Sequence, residues 1–247
     1  MSIPFKVVIP ARFASTRLPG KPLLKIGAYT LLEHVHRTAK QSGAVQVIVA
    51  TDDERIADHA RGFGATVVMT AAEHVSGTDR INEAVNKLAI AGDEIIVNVQ
   101  GDEYGLQPEL IDTVAARLHA RSECVMATLC EPITELRVYQ DPNSVKVVTD
   151  INGTALYFSR ASIPWAKPDL LPVDVYKHIG IYAYRVDFLR AYAQLPRAPL
   201  EQQESLEQLR ALYHGYRIDV GRIAHKAGIE INTEEDLVRA RQTTGNY

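Results

Sequence analysis

The chain has almost no cysteine, no long apolar run and no surplus of positive charge, and each shortage removes a class of function. Among its 247 residues only Cys124 and Cys130 carry thiols. Both fall in one strand-like segment, where a rise of about 3.3 Å per residue separates them by roughly 20 Å, too far for a disulfide. Their spacing lacks a zinc-site pattern, so they read as buried thiols of a reducing compartment. Histidine occurs eight times but is scattered. Even His34 and His36 point to different sides of a helix, which leaves no basis for a histidine metal site. No apolar run approaches the roughly 20 residues that cross a bilayer, and the N-terminus passes at once into a strand-like segment without a signal-peptide pattern. A cytoplasmic protein with no membrane partner is the expectation. The formal net charge is −3, with acids and bases interspersed, so no broad basic field exists to attract a nucleic acid. Internal repeats, heptads and low-complexity tracts are also missing from the sequence.

What is present is a large apolar fraction, 46%, enough for one sizeable core in a single α/β unit. Apolar β-rich runs at residues 5–10, 45–50, 65–69 and 94–99 alternate with helical periodicity that begins near Thr30, Asp53 and Thr78. Strands apolar almost throughout are covered on both faces, so the pattern predicts a doubly wound, mostly parallel sheet. Residues 109–120 place Leu110, Ile111, Val114, Ala115 and Leu118 on one helical face, and a strand follows around Val125 to Leu129. Beyond about residue 130 the rhythm changes. Segments 145–150, 155–160 and 178–185 read as strands without intervening helices, an antiparallel extension. Residues 163–172, with Pro164, Pro168 and Pro172, read as a loop or lid. Helices are expected at 186–195 and 200–213, a strand at 216–220, and a final helix capped by Asn232. One domain spans 1–247, with an α/β part at 1–130, the extension and lid at about 131–190, and closing helices at 191–247.

The first strand ends in PARFASTRLPGKP, residues 10–22. In an open α/β sheet ligands bind beyond the carboxyl ends of the strands. Arg12, Arg17 and Lys21 supply cations there, and Ser15, Thr16, Gly20 and backbone amides can bond phosphate oxygens. Neither G-x-G-x-x-G nor G-x-x-x-x-G-K-[ST] occurs, which argues against a dinucleotide enzyme and a P-loop NTPase. Asp102 follows the apolar strand at 94–99, so its carboxylate emerges at the same sheet edge. As a hard oxygen donor it is the candidate ligand for magnesium.

The pattern P-A-R-x-x-S-x-R-L-P-G-K-P resembles the N-terminal signature of the sugar-acid cytidylyltransferases, in the form that handles 3-deoxy-manno-octulosonate (KDO). The likeness continues through ATDDERI (50–56), EHVSGTDR (73–80), VNVQGDE (97–103), ALYFSRASIPW (155–165), KHIGIYAYR (177–185) and ESLEQLR (204–210), nearly the whole chain. It implies CTP and an acidic eight-carbon sugar as substrates, magnesium as cofactor, a homodimer formed through the extension, and a role in lipopolysaccharide synthesis. It implies nucleotide contacts from Pro10, Ala11, Arg12, Ser15, Thr16, Arg17, Lys21, Ser76, Gly77, Thr78, Arg80 and Gln100. For the sugar it implies Gln100, Arg160, Lys167, His178, Tyr182, Glu207 and Gln208. Taken without the family, residues 76–79 read equally as a turn and helix cap, and Tyr182 and Tyr184 as core. Catalysis would fall to Arg12, Lys21 and Asp102, as the anomeric hydroxyl attacks the α-phosphorus of CTP and pyrophosphate leaves. Two departures stand out. Tyr104 and Gly105 follow Glu103 where the family usually has proline, and Asn232 replaces a second metal-binding aspartate. Asn232 offers a neutral amide oxygen, and Glu230 is a neighbour able to restore the charge. These departures motivate two alternatives: an enzyme for an amino-substituted octulosonate or sialate-like acid, and a CTP-binding relative without catalysis.

Overall fold

Valine and isoleucine dominate the strands, and which side of the sheet each faces sets the layers. The structure, a computed structural model, describes residues 3–14, 18–167, 169–224 and 227–243. In chain order the strands are β1 (Phe5–Ala11), β2 (Lys25–Ile26), β3 (Tyr29–Thr30), β4 (Gln46–Thr51), β5 (Thr66–Met69), β6 (Ile95–Asn98), β7 (Glu103–Tyr104), β8 (Met126–Pro132), β9 (Lys146–Thr149), β10 (Ala155–Ser159), β11 (Tyr176–Arg185), β12 (Ile218–Arg222) and β13 (Ile229–Glu230). The helices are α1 (Leu31–Gln41), α2 (Glu54–Gly62), α3 (Gly77–Lys87), α4 (Pro108–Ala120), α5 (Leu136–Gln140), α6 (Val186–Tyr192), α7 (Pro199–Glu204), α8 (Gln208–Tyr213) and α9 (Glu234–Thr243). Nine strands form one sheet, running β5, β4, β1, β6, β11, β8, β12, with β9 laid against the first half of β11 and β10 paired to β9. β1, β4, β5 and β6 are mutually parallel. β11 runs antiparallel to β6, β8 and β9.

Successive residues of β1 go to opposite faces, as the pleat demands. Val7 and Ile9 join a core with Leu31, Leu32 and Val35 of α1 and Ile111, Val114 and Leu118 of α4. Val8 joins the other core, with Ile81, Ala84 and Val85 of α3 and Phe188 and Leu189 of α6. Each such side chain, fully buried, contributes about 1.5–3 kcal/mol, which is why both faces are covered. The helices start where capping chemistry allows. Thr30 accepts from the Glu33 amide, Asp53 from Arg55 and Ser76 from Asp79, each satisfying an orphan N–H of the first turn.

Three expectations need correction. Residues 200–213 form not one helix but α7 and α8, separated where Ser205 adopts a left-handed φ of 52°. The final helix is capped by Thr233 rather than Asn232. The Thr233 hydroxyl accepts from the Asp236 amide at 3.2 Å, and the Asp236 carboxylate accepts from the Thr233 amide at 2.8 Å, a reciprocal capping pair. Cys124 lies just before β8 rather than within it. Both thiols are free and buried, and burial pushes the Cys130 thiol up to about 12, leaving it inert. No helix among the described residues is long and apolar enough to cross a membrane.

Candidate active site

Strand order places β4 and β5 on one side of β1 and β6 on the other. The loops leaving β1 and β6 therefore diverge at a topological switch point, where α/β sheets hold ligands. Gly101 lets them approach closely, since a Cβ there would stand 3.0 Å from the Pro10 carbonyl oxygen. The opening is a cavity of about 360 Å³ lined by Pro10, Ala11, Arg12, Lys21, Ser76, Gly77, Arg80, Gln100, Asp102, Glu230 and Asn232. Ser15, Thr16 and Arg17 lie outside the described residues.

At one edge of this cavity the Lys21 ammonium donates to Asp102 Oδ2 at 2.5 Å and to the Ile231 carbonyl at 2.8 Å. A late segment of the chain is thus part of the site. β13 pairs antiparallel with β7, and the Ile231 amide donates to the Asp102 carbonyl at 3.0 Å. The substitution at Tyr104 has a packing reason, because its ring is 4% exposed and meets His34 edge-on at 5.1 Å. Gly228 makes the return possible: its φ is +145°, and a Cβ there would lie 2.8 Å from the Tyr104 carbonyl oxygen. No side chain fits that position without strain.

On the opposite wall, Ser76 caps α3 and lines the cavity at once. Arg80 also lines it, but its guanidinium is committed elsewhere, 3.1 Å from Asp52 and donating to Thr70 at 2.5 Å. It ties the loop to the ends of β4 and β5. Glu83 braces the same loop, accepting from the Ala71 amide at 2.8 Å and pairing with His74 at 2.5 Å. Burial opposes its charge, yet Lys87, the Ala71 amide and His74 together hold the carboxyl down at about 2.

A second cavity, about 340 Å³, adjoins the first and is lined by Thr78, Asn98, Glu103, His178, Tyr182, Tyr184 and Gln208, with Gln100, Asp102, Glu207 and Glu230 common to both. The shared wall is a hydrogen bond, Thr78 Oγ1 donating to Glu207 Oε2 at 2.9 Å. Glu207 exposes its surface into the cavities, while the protein behind it penalises the charge and raises its carboxyl. Glu103 is pushed up to about 8 by burial, then by Glu230 and Asp102. His178 sits beside a bulge between Ile179 and Tyr182, 3.0 Å from Thr128 Oγ1. Burial, then Lys177, lowers its imidazole to about 3, so it is neutral. Arg160 and Lys167, expected at the sugar, line neither cavity. The Arg160 guanidinium donates to the carbonyls of Glu204 at 2.7 Å and Pro142 at 3.0 Å, while Lys167 is exposed on the Pro-rich loop.

Residues 6–218 match the family described as cytidylyltransferase. The chain belongs to the cytidylyltransferase family. It is 51% identical to the 3-deoxy-manno-octulosonate cytidylyltransferase of Pseudomonas fluorescens, over 99% of this chain and 100% of the relative. To the enzyme of the same name from Idiomarina loihiensis it is 49% identical, over 98% and 99%. A solved CMP:2-keto-3-deoxy-manno-octonic acid synthetase complexed with CTP superposes with a TM-score of 0.90 at 40% identity, covering 98% of each chain. A cytidylyltransferase structure from Leptospira borgpetersenii, at 19% identity and a TM-score of 0.63 over 99% of this chain and 87% of that one, shares the fold.

In a cytidylyltransferase the geometry offers two adjoining chambers with cations at one rim and carboxyl groups at their junction. The test for a metal is whether any donor is left unmet. Asp102 Oδ1 is buried and has no hydrogen-bond partner, and the Asn232 amide and Glu230 line the same cavity. No three His, Cys, Asp or Glu among the described residues cluster to hold a metal by themselves. Magnesium retains waters and phosphate oxygens, however, so one carboxylate with an amide oxygen fits this hard cation. The contributions of Asp52, Glu83, Asn98 and the Ile231 carbonyl were not anticipated from the sequence. The ATDDERI motif carried a signal for Asp52 and VNVQGDE contains Asn98; the others depend on tertiary placement.

Proposed function

We infer that the chain transfers the cytidylyl group of CTP to the anomeric hydroxyl of 3-deoxy-D-manno-octulosonate, giving CMP-KDO and pyrophosphate. The observation that carries this is the pair of cavities joined at Gln100 and Asp102, in a chain half identical over its whole length to enzymes of that name. The first chamber would take CTP. Arg12, Gln100 and the first turn of α3 line its rim, and Lys21 presents a fixed positive charge toward the phosphates. The second would take the sugar acid, with neutral His178, Tyr182, Gln208 and Glu207 around the polyol. Held at the junction, the two reactants gain from proximity and from charge that needs no reorganisation.

Magnesium is part of this proposal, held by Asp102 with Asn232 and Glu230. Bound there it would neutralise charge on phosphate oxygens. Restoring a carboxylate as Asn232→Asp is expected to lower the magnesium concentration for half-maximal activity by about tenfold, because ligand charge sets affinity at such sites. An unchanged magnesium profile would remove Asn232 from the metal shell.

A homodimer, a cytoplasmic location and supply of activated sugar for lipopolysaccharide complete the proposal. Exposed Leu156 on edge strand β10, with Trp165 and Leu170 on the Pro-rich loop and Val173 just after it, supports an interface on the extension. The molar mass in solution should be twice that of the chain, and a monomer at micromolar concentration would contradict it. Pyrophosphate release from CTP, with and without KDO and magnesium, tests the activity. KDO-dependent release supports the assignment; release only with an amino-substituted or sialate-like acid would reassign the substrate, and CTP binding without release for any acid would refute transferase activity.

A further inference from the structure

We propose that Asn98, to which the resemblance gives no role, reads a hydroxyl group of the sugar acid in the second cavity. The proposal rests on that cavity being the sugar site. Asn98 ends β6, lies in register with Tyr182 of β11, is 1% exposed and lines the cavity. Its Oδ1 has no hydrogen-bond partner, although the side chain lies within reach of the Tyr184 hydroxyl. On the same cavity Gln208, 5% exposed, opens α8 and leaves its Nε2 equally without a partner.

Two of the neighbouring hydroxyls are already committed. Thr78 Oγ1 donates to Glu207, and the Tyr192 hydroxyl donates to the Glu207 carbonyl at 2.9 Å. Buried polar atoms in native proteins are nearly always paired, and an unpaired one is destabilising. Two orphans of opposite polarity on one cavity define their own ligand. Oδ1 requires a donor and Nε2 an acceptor, and both are uncharged, so a carboxylate would be repelled by the first. A polyol meets both, because each of its hydroxyls donates and accepts. Asn98 would then recognise a hydroxyl by its presence, and a sugar lacking that hydroxyl would leave the amide oxygen buried and unmet.

The test compares the full chain with its Asn98→Ala variant, using KDO and analogues each lacking one hydroxyl, at saturating CTP and magnesium. The variant is expected to lower kcat/KM for KDO by about 10- to 100-fold while CTP affinity stays within about twofold. One deoxy analogue should be penalised in the unaltered protein by a similar factor, with little further loss in the variant. Equal penalties for every analogue, or a loss of CTP affinity as large as that for the sugar, would overturn the assignment. If Asn98→Ala does not fold, the unaltered protein decides alone: discrimination below about threefold against every deoxy analogue would also overturn it. No KDO-dependent release by the unaltered protein would instead refute the functional reading, and this proposal with it.

Discussion

Replacing Lys21 by alanine is expected to lower kcat by about 10²-fold or more while leaving the KM for CTP changed by less than tenfold. The ammonium is held between Asp102 Oδ2 and the Ile231 carbonyl, 16% exposed, at the rim of the first cavity. A charge fixed in that way meets developing negative charge without reorganisation, whereas a solvated lysine would first have to be ordered. Steady-state kinetics with CTP and KDO varied separately would check it. A loss confined to KM would show that Lys21 binds ground state and transition state alike. Arginine is a poor substitute, since a planar guanidinium does not fit a tetrahedral ammonium position between a carboxylate and a carbonyl. Unfolding should change little, because Asp102 keeps contact with solvent, at 21% exposure.

The largest loss of stability is expected at Asp219, far from the chemistry. Its carboxylate is wholly buried on β12 and accepts from Arg117 at 2.5 and 2.9 Å and from Arg121 at 3.1 Å. The three residues clamp β12 to the end of α4. Asp219→Ala leaves the Arg117 guanidinium without its counter-charge, while Arg121 keeps Glu123 at 2.6 Å, and removing one partner of a buried pair costs about 3–5 kcal/mol. The lower end applies, because Arg117 and Arg121 are 35% and 23% exposed and can turn to water. A loss of about 3 kcal/mol corresponds to a Tm lower by roughly 6–12 °C for a chain of this size. Urea or thermal unfolding would check it, and a change under about 1 kcal/mol would mean that the network contributes little. Activity per folded molecule should be unaffected, since none of the three lines either cavity.

These two residues also mark what was legible in the sequence. Lys21 could be found because a strand, a basic loop and a proline-flanked glycine are local signals, and the switch point follows from strand order. Asp219 gave no signal, since its partners lie about 100 positions away in the chain. β7 and β13 are two-residue strands, too short for any periodicity, and form only because each finds the other. The break at Ser205 was hidden for a similar reason. Serine has no preference for a left-handed φ, so tertiary packing imposes it and the helical pattern of 200–213 runs on past it. Arg160 lines neither cavity because a motif carries over an identity but not a direction, and here backbone carbonyls hold the guanidinium.

The bond from Lys21 to Ile231 spans 210 positions, which fixes when the protein can begin to work. A chain emerging from the ribosome exposes the loop after β1 early and can fold the strands around it as they appear, at about 5–20 residues per second. Until β13 arrives, the lysine has no second anchor and Asp102 lacks the strand that backs it. A chain not yet made as far as β13 would meet CTP with a loose, unarmed loop, so nucleotide is safe from it until that strand has paired with β7.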